Sequence, residues 1–317
     1  MILIVSFLDN QHVHKVIEHL TVDHAVVDVS WFPERMRLNA YAGAVENGHF
    51  FDLPDGRRVA LDKVGAVWYR RIRNMTVAPE VTEGTARLFA WSESNEALLG
   101  VWYAMRCFWM NPPTADEMAL RKVHQLRVAR RHGLAIPETL VSNSPQEALA
   151  FIERHGVGKV IRKAFRNIQE APRETAIVTR DDLALIESVR FAPVIFQSFV
   201  PARLDLRVTV IDGDIFAASI ASDADHQVDY RKGLGTAAVR PYTLPDDVAK
   251  KLLGLMDEMN LKFGAVDFRV TPSGEHVFLE VNPAGEYLFI SERTGQPIPQ
   301  AIAATLERHA RQHRAEI

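Results

Sequence analysis

A single cysteine in 317 residues, Cys107, leaves no partner for an intrachain disulfide, so the fold rests on burial, and the lone thiol in its apolar run fits a reducing cytoplasm. Long hydrophobic runs are missing as well. No stretch approaches the ~20 apolar residues of a membrane helix, and the opening run to Leu8 is broken by Asp9 and carries no basic leader. The expectation is a soluble, unprocessed, cytoplasmic protein. A basic excess is also lacking: 37 Lys and Arg stand against 40 Asp and Glu, spread along the chain, which argues against nucleic acid as a partner. There is no internal repeat and no low-complexity tract. The length exceeds the ~100 to 150 residues of one domain, so two or three lobes around a sizeable core are expected.

Hydrophobic periodicity predicts a β-α-β opening, with an apolar run at 2–7, a helix at 11–20 carrying Val13, Val16, Ile17 and Leu20, and a strand run at 25–29. A hairpin at 43–61, turning at Gly48 and Asp55-Gly56, precedes a strand at 64–69 that ends in Arg70-Arg71. Residues 91–109 predict a largely buried helix, and Asn111-Pro112-Pro113 closes the first lobe. Thr114 and Glu117 have capping-box spacing and predict one helix through Arg131, with Lys122 on it and Gly133 as its stop. Strands at 139–142, 159–164 and 194–199 alternate with a helix at 144–156 and a short one capped by Thr179. Strands at 206–211 and 215–220 flank the turn residues Asp212-Gly213-Asp214, and Pro245 opens an amphipathic helix. The segments 166–173 and 223–235 are polar and unpatterned.

Residues 263–286 carry the chemistry. Val266, Phe268 and Val270 alternate with Asp267 and Arg269, while Val277, Leu279 and Val281 alternate with Phe278, Glu280 and Asn282 around a Pro-Ser-Gly turn. Pairing Thr271 with His276 across that turn would set Asp267 opposite Glu280, with Asn282 two residues on along the same face. Opposed side chains have Cβ atoms roughly 4.5 to 5.5 Å apart, so two carboxylates there repel unless a proton or a cation lies between them. Oxygen donors without Cys or His suit Mg²⁺ completed by phosphates and water, and hence a nucleotide. Asp267 by itself reads sooner as a solvent-facing carboxylate than as a ligand; the constellation ending in a strand-stopping Asn-Pro carries the metal reading.

The spacing D-x12-E-x-N at Asp267, Glu280 and Asn282 resembles the ATP-grasp carboxylate ligases. Within them the chain is similar to the microviridin-type peptide ligases, or graspetide synthetases, and to the related ligases that add glutamate to a ribosomal protein. The resemblance covers roughly the last two thirds of the chain. It implies an α/β fold of α+β lobes: a pre-ATP-grasp domain at 1–113, a central lobe at 114–195, and a C-terminal lobe at 196–317 holding ATP and Mg²⁺.

It also implies roles. Lys122 and Lys163 fall where the family places two lysines on ATP. Gln197, Phe199 and Val200 resemble the hinge that bonds adenine through backbone groups, although Ser198 stands where many relatives carry Glu. Asp205-Leu206-Arg207 matches a D-x-R whose Asp meets ribose and whose Arg meets the γ-phosphate. The family's Gly-rich phosphate flap is missing, and Arg166 and Asn167 are its candidate replacements. The stretch His226 to Lys232 resembles the loop ahead of the catalytic helix, with Arg231 as the candidate holding an acyl phosphate. Trp68-Tyr69-Arg70-Arg71 resembles a signature of the peptide ligases, and Arg70, Arg71 and Arg73 are candidate contacts for peptide carboxylates, with a surface ion-pair role as the alternative.

The implied activity is ATP-dependent activation of Asp or Glu side chains in a ribosomal precursor peptide, docked by its leader segment, followed by lactone or lactam closure. A homodimer is a further expectation. Two alternatives stay open: a ligase joining a free amino acid to a peptide or small carboxylate, and a non-catalytic ATP-binding module.

Overall fold

The computed structural model describes residues 1–43, 48–165, 175–221 and 233–316. The chain opens as β1 (Ile2–Val5), α1 (Gln11–Ile17) and β2 (His24–Val27), with the Asn10 side chain accepting from the His12 amide to cap α1. A meander of β3 (Arg37–Ala40), β4 (His49–Asp52) and β5 (Arg58–Ala60) leads to β6 (Ala66–Tyr69). After α2 (Gly84–Ala104), β7 (Phe108–Met110) completes a parallel sheet of order β2-β1-β6-β7. All residues of β1 and β6 are buried, as befits parallel strands covered on both faces.

The helix expected at 91–109 lies earlier, and its last residues form β7 instead. Nor is it largely buried. Only Ser94, Leu98, Val101 and Trp102 are covered, while Leu88 and Phe89 are 67% and 66% exposed. Its apolar residues surround the axis, so periodicity could not tell which face meets the sheet.

The middle of the chain runs α3 (Pro113–Ala119), α4 (Lys122–Arg131), β8 (Thr139–Ser142), α5 (Pro145–His155), β9 (Val160–Lys163), β10 (Ala176–Ile177), α6 (Arg180–Ala184) and β11 (Val194–Ser198). Its four strands form an antiparallel sheet of order β10-β9-β11-β8. The single helix expected through Arg131 is two. Pro113 takes the first helical position of α3 without a side-chain cap from Thr114, and a break after Leu120 makes Lys122 the first residue of α4.

The last third comprises β12 (Leu204–Ile211), β13 (Asp214–Ala221), β14 (Ala238–Tyr242), α7 (Asp246–Glu258), β15 (Phe263–Val270), β16 (His276–Asn282), α8 (Leu288–Thr294) and α9 (Ile298–Glu316). Its sheet, of order β14-β13-β12-β15-β16, is antiparallel throughout. Asp212 and Gly213, at φ 46° and 100°, close the β12-β13 hairpin as a two-residue turn.

Packing crosses the expected boundaries. Ala115, Ala119, Leu126 and Ala129 of α3 and α4 join Leu252, Leu255 and Met256 of α7 in the core of the five-stranded sheet. The last helix, α9, lays Ile298, Ile302 and Leu306 against Ile2, Ile4, Ala66 and Trp68, so the end of the chain covers the first sheet.

The assumed register near the β15-β16 turn is off by one: Val270, not Thr271, pairs with His276. A bulge between Asp267 and Phe268 then takes up one extra residue on β16, after which Asp267 faces Glu280 and Val266 faces Val281. The opposition of the two carboxylates therefore stands, with Leu279 as the extra residue.

Candidate active site

The strand pairing sets charges opposite one another in sequence. Asp205 lies across from Arg269, Arg207 from Asp267, and Asp267 from Glu280. Arg207 Nη1 donates to both Asp267 oxygens at 2.9 and 3.1 Å, and Arg269 Nε donates to Asp205 Oδ1 at 3.1 Å. Lys122 Nζ, delivered by the helix break at the start of α4, bonds Glu280 Oε2. Asn282 Oδ1 accepts from the Ala284 amide at 3.0 Å, which fixes the side chain at the strand end.

Among the described residues no three His, Cys, Asp or Glu side chains converge. The hairpin instead offers two carboxylates and one amide oxygen, a hard-donor set that fits Mg²⁺ sharing its coordination with phosphate and water. Arg207 and Lys122 each balance one of those carboxylates here. Asp267, Glu280 and Asn282 would hold the cation.

Beside this hairpin, Lys122, Val123, Leu126, Thr139, Val141, Lys163, Ile195, Gln197 and Leu279 line a narrow cleft between α4, the four-stranded sheet and β16. The bulge residue Leu279 is thus part of its wall. Lys163 is largely enclosed, and burial, partly opposed by Glu280, lowers its pKa to about 8. Gln197, buried, donates to Thr139 Oγ1 at 2.8 Å. The Phe199 amide donates to the Lys159 carbonyl at 2.8 Å, which leaves its own carbonyl as the backbone group to offer a ligand. Val200 O accepts from Arg269 Nη1 at 2.7 Å and keeps a second lone pair.

The three arginines after β6 do not form one patch. Arg70 is 1% exposed, so it is not a surface contact for a peptide; its guanidinium lies 5.3 to 5.7 Å from the ring centres of Tyr287, Phe263 and Trp68. Arg71 is open to solvent and pairs with Glu286 at 3.0 Å. Arg73 turns the other way, onto Asp9 and Asp28. Arg166, Asn167 and Arg231 lie outside the described residues.

Three residues that hold the site have no site role in the sequence reading. Asn111 receives the Lys262 and Phe263 amides and donates to the Phe263 and Pro283 carbonyls, bracketing the metal hairpin at both ends. Gln125 on α4 bonds both backbone groups of Val281, each at 2.9 Å. Arg269 orders Asp205 and Val200. A charged residue between the apolar strand positions Phe268 and Val270 was the available signal for Arg269; Gln125 stands in a polar, basic helix and gave none. A separate cavity of about 890 Å³ in the first sheet's region, lined by Thr21, His24, Arg57, Arg58, Asp62 and Lys63 among others, contains none of the expected site residues.

Residues 1–117 match the MvdD pre-ATP grasp domain and residues 119–306 match the RimK-like ATP-grasp domain. A probable alpha-L-glutamate ligase of Teredinibacter turnerae is 24% identical over 218 residues, 67% of this chain and 71% of the relative. The crystal structure of macrocyclase MdnC of Microcystis aeruginosa, bound with its precursor peptide MdnA, superposes with a TM-score of 0.87 at 32% identity, covering 97% of this chain and 99% of the other. A RiPP-associated ATP-grasp ligase of Chryseobacterium gregarium, in complex with ADP and a leader and core peptide, superposes with a TM-score of 0.87 at 26% identity, covering 97% and 96%. Both halves of the sequence and the overall superposition thus point the same way. The chain belongs to the RimK-like ATP-grasp ligases, ATP- and Mg²⁺-dependent enzymes, and carries an MvdD-type pre-ATP-grasp domain ahead of the ligase core.

Proposed function

We propose that this protein is a peptide ligase that activates Asp or Glu side chains of a ribosomal precursor peptide and closes them into lactones or lactams. The observation that carries the reading is the cleft uniting Lys122, Lys163 and Gln197 beside the opposed Asp267 and Glu280. The similarity to macrocyclase MdnC, bound with precursor peptide MdnA, supports the choice of substrate. In this reading residues 1–113, 114–195 and 196–317 act as pre-grasp, central and C-terminal lobes.

ATP would supply the γ-phosphoryl group that converts a substrate carboxylate to an acyl phosphate as the bond to ADP breaks, and Mg²⁺ on Asp267, Glu280 and Asn282 would neutralise phosphate charge. Lys122 and Lys163 hold the phosphates, the segment from Gln197 to Val200 holds adenine, Asp205 the ribose, and Arg207 and Arg231 balance charge on the transferred group. A peptide Ser or Thr hydroxyl, or a Lys amine, then attacks the acyl carbon; the C–O bond to phosphate breaks and the nucleophile loses its proton. No enzyme nucleophile is needed, because alignment and charge neutralisation carry the reaction. That leaves Cys107, whose thiol burial pushes up to about 12, without a chemical part. The probable glutamate ligases among the relatives support the alternative that a free amino acid is joined instead.

Of the three arginines, Arg71 is the one we assign to substrate carboxylates, in exchange for Glu286. Arg71→Lys should slow peptide modification severalfold at unchanged ATP affinity, because an ammonium cannot reproduce the guanidinium fork. Equal rates of water loss from the peptide in both proteins would remove Arg71 from the substrate site.

The depressed pKa of Lys163 makes ATP binding pH-dependent. Above about 8 the free protein holds this lysine neutral, so phosphate binding must draw a proton back onto it. Calorimetry at pH 9 in buffers of different ionisation enthalpy should show proton uptake on ATP binding and weaker affinity than at pH 7. Lys163→Ala should abolish that uptake.

We also infer a homodimer; α2 exposes Leu88, Phe89 and Trp91 as candidates for its contact. Docking of the peptide by its leader segment and a cytoplasmic location belong to the same reading; no helix among the described residues is long and apolar enough to cross a membrane. Light scattering should give twice the chain mass for the native protein and one chain mass for a Leu88→Glu, Phe89→Glu variant.

A further inference from the structure

Arg70 is a buried cation whose use is not explained by substrate binding. Among the described residues no carboxylate lies within ion-pair distance and neither its Nε nor its Nη1 has a hydrogen-bond partner. Burial accordingly lowers its pKa to about 10. A charge in this position is costly, and a well-packed apolar side chain in the same ring-lined space would serve stability as well or better. Something other than stability keeps an arginine there.

The remaining bond supplies the reason. Arg70 Nη2 donates to the Gly285 carbonyl at 3.1 Å, Arg71 Nε to the Ala284 carbonyl at 3.2 Å, and Arg207 Nη2 to the Glu286 carbonyl at 3.1 Å. Three successive carbonyls are therefore each held by a different guanidinium, two from the end of β6 and one from β12. The held segment is separated from Asn282 by Pro283 alone, and Asn282 Oδ1 takes the Ala284 amide at 3.0 Å while its carbonyl takes the Gly285 amide at 3.2 Å. Space confirms how closely this turn is fitted: a Cβ on Gly285 would lie 2.9 Å from Arg207 Nη2 and collide with Ala265. His12, next to the same three arginines, is kept neutral by burial and their charge.

We propose that Arg70 is a positioning residue for the metal site. Through the Gly285 carbonyl it sets the turn that aims the Asn282 amide oxygen, and it thereby makes the first domain a structural part of the magnesium hairpin. This rests on the reading that Asp267, Glu280 and Asn282 hold the cation. A bond to a ligand's supporting shell is worth roughly ten- to a hundredfold in metal affinity.

The test is Mn²⁺ binding to the full chain in the presence of ADP, read by electron paramagnetic resonance, with thermal unfolding alongside. Arg70→Met should unfold at or above the native temperature, bind ADP alone normally, and bind Mn²⁺ roughly tenfold more weakly. Arg70→Lys, which keeps a donor for Gly285, should recover part of that loss, and it stands as the test variant if the methionine protein does not fold. Native Mn²⁺ affinity in the folded variants overturns the proposal. So does a loss of stability without a loss of metal affinity, which would make Arg70 a packing residue. If Glu280→Gln leaves Mn²⁺ binding unchanged in the otherwise native protein, the metal reading itself fails and the proposal falls with it.

Discussion

Replacing Glu280 by Gln should lower ADP formation by roughly a hundredfold or more, about 3 kcal/mol of transition-state stabilisation, while unfolding stays close to native. The side chain is 30% exposed and its Lys122 partner 24%, so the ion pair itself contributes little to the fold. Asp267→Asn should abolish turnover to the same degree but behave differently in unfolding. Its partner Arg207 is only 9% exposed, and weakening a pair that enclosed costs about 1 to 3 kcal/mol. A coupled ADP assay and thermal unfolding of the two variants separate these effects. Full activity in both would remove the hairpin from the chemistry.

Lys163→Ala should weaken ATP binding by roughly ten- to a hundredfold, the worth of a charge-assisted hydrogen bond in an enclosed site. Arg231→Ala should do the opposite: leave nucleotide affinity nearly unchanged and slow transfer to the carboxylate by a comparable factor. The contrast follows from the proposed roles: Lys163 lines the cleft with Gln197 and Thr139, and Arg231 is assigned to the transferred group. Nucleotide titration and single-turnover ADP formation, measured on both variants, distinguish binding from transfer. Normal turnover in Arg231→Ala would return that residue to the solvated surface.

The hairpin was legible because its information is local. Alternation and a turn bring Asp267, Glu280 and Asn282 onto neighbouring strands within sixteen residues, and a one-residue error at the turn was offset by the bulge. The bulge was not legible, since it depends on how both strands pack. The charge ladder of Asp205, Arg269, Arg207 and Asp267 needs β12 to lie beside β15, a pairing no local pattern encodes. Arg70 misled for a related reason. Two adjacent arginines at a strand end read as surface, and only the arrival of Phe263, Gly285 and Tyr287 from far along the chain encloses the first of them. The same holds for α9, whose apolar face finds its partner in the first sheet, and for Lys122, whose position depends on a helix break rather than on the helix.

The most direct measurement is to incubate the protein with ATP, Mg²⁺ and a short Asp/Glu-rich precursor peptide, and to follow peptide mass and ADP together. The account predicts that the peptide loses one water for each ADP released, in a reaction that requires Glu280. A peptide that gains the mass of an added amino acid, or that stays unchanged whether or not ADP forms, would contradict it.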